Sequence, residues 1–166
     1  NIYSYTNNVA KRKEIVAWLK EMGDTSSNEK IKSALYNVLG GYYKDANNYD
    51  SSIFYRLKNI TLRKKLLAQK EADDTINLAY ALNNLGNMFN EIGQYNKALE
   101  YLYEGSSIIG NQALTGTEEG LYLYFMDSYN GLLKEDSLLK YYNLINTKMA
   151  GRDTLFNVFT NANFLV

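Results

Sequence analysis

The chain of 166 residues contains no cysteine, no histidine and no proline. Without cysteine, disulfides, thiol nucleophiles and thiolate metal sites are excluded. Without histidine, the commonest general base and the commonest metal ligand are missing. Both absences argue against an enzyme, and no catalytic residue, metal ligand or cofactor is assigned. The lack of proline leaves long helices uninterrupted. Charge of one sign is lacking too: Lys and Arg total 18, as do Asp and Glu, so no overall field draws the chain to nucleic acid or an anionic membrane. No apolar run approaches the roughly 20 residues that a bilayer-spanning helix needs. The chain opens on Asn1-Ile2-Tyr3 without a starting Met, and reads as a piece excised from a longer protein.

What is present is apolar residues at helical spacing. At 46% hydrophobic and 22% charged, the chain has the composition of a globular domain rather than a disordered segment. Ile15, Trp18, Leu19 and Met22 form one stripe, and Ile31, Leu35, Val38 and Leu39 a second. Ile53, Leu57, Ile60 and Leu67 form a third, and Leu78, Leu82, Leu85 and Phe89 a fourth. Recurrence at i, i+3, i+4 and i+7 predicts helices with one buried face. Polar and glycine-rich stops divide them, and Ser26 with Glu29 has the spacing of a capping box. The pattern predicts helices near 3–22, 28–44, 48–70, 75–91, 95–109, 117–132, 136–149 and 153–164. Short connections between about eight helices imply antiparallel neighbours within a single all-α domain spanning 1–166.

The hairpins repeat. In the central copy, Leu82, Leu85-Gly86, Phe89, Gly93-x-Tyr95, Ala98 and Leu102 set the pattern, and Tyr36, Leu39-Gly40, Tyr43, Tyr49 and Ser52 stand upstream at the offsets of Leu82, Leu85-Gly86, Phe89, Tyr95 and Ala98. Asn47 stands where the central copy has Gly93, and asparagine tolerates a left-handed turn. Tyr122, Phe125-Met126, Tyr129, Leu138 and Tyr142 form a weaker third copy, in which Met126 replaces the glycine and Glu135 the turn aromatic. The central copy resembles a tetratricopeptide repeat (TPR), with Gly86 and Ala98 allowing close approach of two helices. Gly40 to Gly86 is 46 residues and Gly86 to Met126 is 40, longer than the roughly 34 of the standard repeat. The longer form is similar to repeats in bacterial sensor and regulatory proteins. Repeats are expected at about 33–72, 79–113 and 119–150, with partial flanking repeats at both ends. The resemblance implies a right-handed superhelical array of antiparallel helix hairpins, an α-solenoid.

In this family the first helix of each repeat lines a concave groove. Removing the packing positions leaves Tyr80, Asn83, Asn84, Asn87 and Asn90 in the central copy. The upstream copy contributes Asn37, Gly41 and Lys44, and the downstream copy Tyr124, Asp127 and Asn130. Carboxamides both donate and accept hydrogen bonds, so such a ladder suits the backbone of an extended peptide. Lys44 is the groove's one basic residue, which does not support the basic clamp by which some family members hold an acidic carboxyl terminus. Lys11-Arg12-Lys13 and Arg63-Lys64-Lys65 have acids nearby and read as solvated helix faces rather than nucleic-acid patches. The resemblance therefore implies a protein- or peptide-binding scaffold, the sensor or interaction segment of a larger bacterial regulator. The alternative is a structural spacer, or a homo-oligomer joined through apolar ends such as Ile2-Tyr3 and the segment 156–166.

Overall fold

The computed structural model describes residues 9–69, 74–109 and 117–149. Among them seven helices follow one another and there is no strand: α1 (Val9–Thr25), α2 (Glu29–Asp45), α3 (Tyr49–Ala68), α4 (Asp74–Glu91), α5 (Tyr95–Ile109), α6 (Thr117–Gly131) and α7 (Glu135–Met149). The fold is all-α, with helices where apolar spacing places them. The expected helix at 153–164, the start of the first at 3–8 and the connection at 110–116 lie outside the described residues.

One cap differs from expectation. Asn28, not Ser26, caps α2: its Oδ1 accepts from the backbone of Lys30 at 3.0 Å and Ile31 at 3.2 Å. Asn28 is one residue from the helix and so reaches these donors directly. Ser26 Oγ instead accepts from the Asn28 amide at 3.2 Å. Glu29 is left free to pair with Lys65 of α3.

Three connections close in the same way. Asn47, Gly93 and Leu133 have φ of 56°, 73° and 54°, each in the left-handed region. Their amides donate to the carbonyls of Lys44, Asn90 and Asn130 at 2.9, 3.0 and 3.0 Å. The next amides, of Asn48, Gln94 and Lys134, donate to Tyr43, Phe89 and Tyr129 at 2.8, 2.8 and 2.9 Å. These bonds satisfy the last carbonyls of α2, α4 and α6, as a left-handed helix cap does. The carbonyls of Asn48, Gln94 and Lys134 then accept the first bond of the following helix, at 3.0 Å each. One short motif thus stops one helix and starts the next, at the spacing of Gly40, Gly86 and Met126. Leu133 is the departure from expectation, a branched side chain where glycine or asparagine is favoured.

Beside each connection lies a stacked ring pair. Tyr43 stacks on Tyr55 with centroids 5.6 Å apart, Phe89 on Tyr101 at 5.4 Å, and Tyr129 on Tyr141 at 5.8 Å. Such pairs contribute about 0.5–1.5 kcal/mol beyond the area they bury, so each connection is braced by packing as well as by backbone bonds. Small residues set the approach. A Cβ on Gly86 would lie 2.7 Å from Leu102 Cγ and 3.1 Å from the Ala98 carbonyl. A Cβ on Gly40 would lie 2.8 Å from Arg56 Cγ.

α4 is central, packing against α3, α5 and α6. Leu78, Leu82, Leu85 and Met88 are all buried there. α6 and α7 bury Leu121, Phe125, Tyr141 and Ile145 with Leu102 of α5. At the other end Val16 and Leu19 of α1 meet Tyr36 and Leu39 of α2. The first stripe is rotated from its expected position: Trp18 is 55% exposed and Met22 38%. α1 packs mainly against α2, and one neighbour covers a narrower strip than a helix with three. Ile31, Val38 and Leu57, also read as buried, are likewise exposed.

Buried polar groups tie α2 to α3. Ser33 Oγ donates to Asn59 Oδ1 at 2.6 Å, and Ser52 Oγ donates to the Gly40 carbonyl at 2.7 Å. Residue 33 therefore meets 59 while residue 40 meets 52.

A polar cleft between α4 and α6

The groove candidates do not all come together. Asn37 is exposed on α2, Asn84 is half-buried and Tyr80 is 44% exposed. Lys44 is half-buried and pairs with Glu91 of α4 at 2.6 Å. Asn87, Asn90, Asp127 and Asn130 are brought together, lining a cleft of ≈ 260 Å³ with Glu91, Tyr95 and Gly131.

Two asparagines expected to face outward are buried. Asn83 is 4% exposed and Asn90 8%. Asn90 sits at the cleft's inner wall, with both ends of its carboxamide engaged: Nδ2 donates to the Tyr124 carbonyl at 2.8 Å, and Oδ1 accepts from Ser128 Oγ at 2.7 Å. It joins α4 to α6. Tyr124, expected as a ligand contact, supplies that bond through its backbone. Asn83 turns to α5, where a Cβ on Gly105 would lie 2.4 Å from its Oδ1. That oxygen is buried without a hydrogen bond, so Gly105 is the space into which the carboxamide fits.

Helix geometry assembles the rest. Asn87 and Glu91 are one turn apart on α4, and Asn87 Nδ2 donates to Glu91 Oε1 at 3.3 Å. The same oxygen receives Lys44 Nζ. The buried Arg56 guanidinium adds positive field at Glu91, and burial in turn lowers its own pKa. Asp127 faces the cleft from α6 with no hydrogen bond or ion pair among the described residues. It is exposed to solvent, but the surrounding protein displaces part of its water, and this desolvation raises its pKa above the ordinary value. Tyr95, first residue of α5, closes one side. Its ring lies on Gly131, where a Cβ would come within 2.2–2.4 Å of three ring atoms. Only glycine fits there.

The cleft sits where α4 and α6 end, at Glu91 and Gly131, so both helix dipoles present their negative poles to it. Neither helix has a basic residue in its last turn. By contrast Lys44 occupies the last turn of α2 and is spent on Glu91. Glu91, Tyr95 and Gly131 were absent from the residues expected on sequence grounds. The i, i+4 spacing of Asn87 and Glu91 is the signal that could have found the first; nothing local marks the other two.

The basic run of α3 lies away from this cleft and is matched by acids, Lys64 with Glu104 at 2.6 Å and Lys65 with Glu29. Among the described residues no helix is long and apolar enough to cross a membrane, and no group of three or more acidic residues is arranged to hold a metal ion. Tyr129, hydrogen-bonded to Tyr103, is pushed up to about 12 by burial first and by that bond second, so its hydroxyl stays protonated as a packing group. No known protein family, curated protein or solved structure matches this chain.

Proposed function

We propose that this chain is a tetratricopeptide-type repeat module that binds a protein or peptide partner, as the interaction segment of a larger regulatory protein. The observation that carries the reading is the cleft itself: Asn87, Asn90, Asp127 and Asn130, selected as groove positions from the repeat, converge on one concavity. The architecture it requires is a right-handed solenoid of antiparallel hairpins. In support, 33 meets 59 while 40 meets 52, the reciprocal pairing of two antiparallel helices. The cap repeated at Asn47, Gly93 and Leu133, and the ring pairs beside it, support three equivalent units. In such an array α2, α4 and α6 share the inner face, and Lys44, Glu91, Asn87, Asp127 and Asn130 lie along it.

The test is panning of a displayed library of linear peptides against the wild-type chain and the double variant Asn87→Ala/Asn130→Ala. Neither residue is buried, so the variant should keep the parent's thermal midpoint. Peptides enriched on the parent and at least about tenfold weaker on the variant, a loss of 1.4 kcal/mol, support the reading. No enrichment, or binding indifferent to both substitutions, would overturn it.

A further inference from the structure

The cleft is polar, open at one side and charged in one sense. Two carboxylates face it, from Glu91 and Asp127. Glu91 is answered from within the protein by Lys44 at 2.6 Å and, further off, by Arg56. Asp127 is answered by nothing among the described residues. Two helix C-termini add negative potential, and neither last turn carries the Lys or Arg that commonly offsets it. Asn130 and Asn87 supply carboxamide oxygens able to accept further hydrogen bonds.

Size narrows the occupant. Small-molecule sites run to about 300–1,000 Å³, and this cleft of ≈ 260 Å³ is smaller. It has room for one long side chain rather than a whole cofactor. For a metal ion, no group of three or more acidic residues is arranged to hold one among the described residues.

We infer that the cleft between α4 and α6 takes a single cationic side chain, a lysine or arginine of the bound partner, with Asp127 as its counter-ion and Asn130 and Asn87 as hydrogen-bond acceptors. Arginine fits best, since its planar fork can meet the carboxylate and a carboxamide oxygen together. This inference rests on the peptide-binding reading for its biological meaning, but its chemistry is testable alone. It is the opposite polarity to a clamp for an acidic carboxyl terminus.

The experiment uses single-residue probes and the whole chain. Amide spectra of the labelled protein are recorded during titration with N-acetyl-arginine amide, N-acetyl-lysine amide, and the neutral glutamine and anionic glutamate equivalents. The cationic probes should shift the side-chain amides of Asn87 and Asn130 and the backbone of 127–131 saturably, with a dissociation constant on the order of 1 mM. Asp127→Asn should weaken that binding about tenfold, with the remainder of the spectrum unchanged. Shifts scattered over the surface, equal shifts from the glutamine probe, or an Asp127→Asn variant that binds as well as the parent would overturn it. Cationic probes that bind while no library peptide does would leave this subsite standing and sink the peptide reading. Library peptides that bind with no basic residue, and are not displaced by the arginine probe, would do the reverse.

Discussion

Leu133→Gly should stabilise the protein, although it deletes a leucine. Leu133 holds φ at 54° and is 86% exposed. A non-glycine residue in the left-handed region costs about 1–2 kcal/mol, and so little of this side chain is covered that its loss removes almost no burial. Glycine returns roughly 0.5–1 kcal/mol of the gain through the greater freedom of the unfolded chain. The net is about 0.5–1 kcal/mol in favour of glycine, or about 1–4 °C in thermal midpoint for a chain of this size. Thermal unfolding followed by circular dichroism at 222 nm reads the change, with Leu133→Ala as the control. Alanine deletes the same exposed side chain but keeps the Cβ that makes the conformation costly, so it should leave the midpoint nearly unchanged. The reciprocal variant Gly93→Ala, at φ 73° with open space around its Cα, should lower stability by the same net of about 0.5–1 kcal/mol. If Leu133→Ala matched Leu133→Gly, the benefit would come from removing an exposed hydrophobe, and the argument from backbone conformation would be wrong.

Adjacent glycines in α2 should respond with opposite signs. Gly40→Ala forces a Cβ to 2.8 Å from the buried stem of Arg56 and should cost about 1–3 kcal/mol, whereas Gly41 has nothing within 4 Å and Gly41→Ala should gain about 0.5–1 kcal/mol from helix propensity; equal effects in urea titrations would refute the close approach. Asp127→Asn should raise the midpoint at neutral pH. Desolvation holds the folded pKa above the ordinary 3.8, so the ionised carboxylate penalises the native state once pH exceeds that raised value. The penalty fades as pH falls through the folded pKa and is gone below 3.8, where parent and variant should coincide. A variant less stable than the parent at neutral pH would mean that Asp127 makes a favourable contact in the free protein.

The division of labour among the asparagines shows how far local pattern reaches. Asn83, Asn87 and Asn90 recur along α4 at i, i+4 and i+7 and are identical in type. Spacing puts them near one face, but which are buried depends on where α5 and α6 cross α4. Asn83 meets Gly105, 22 residues on in the sequence, and Asn90 meets Ser128, 38 residues on. Neither partner can be inferred from the neighbourhood of the asparagine. The aromatic pairs were closer to legible, because Tyr43, Phe89 and Tyr129 are each followed by a tyrosine twelve positions later.

Sequence alone was enough for the all-α class, the approximate place of the seven described helices, though not the end of α1 at Thr25, and the register that relates Gly40 to Gly86 and Asn47 to Gly93. These properties are local: helix spacing, caps and left-handed stops act within a few residues, and their signals lie side by side along the chain. Only tertiary structure decided that Asn90 is glue and Asn130 surface, that Trp18 turns outward, and that Tyr95 needs Gly131. It also decided that Lys44 is consumed by Glu91 while Asp127 is left unanswered. Charge balance and burial depend on distances between side chains from different helices, and those distances exist only once the helices have packed.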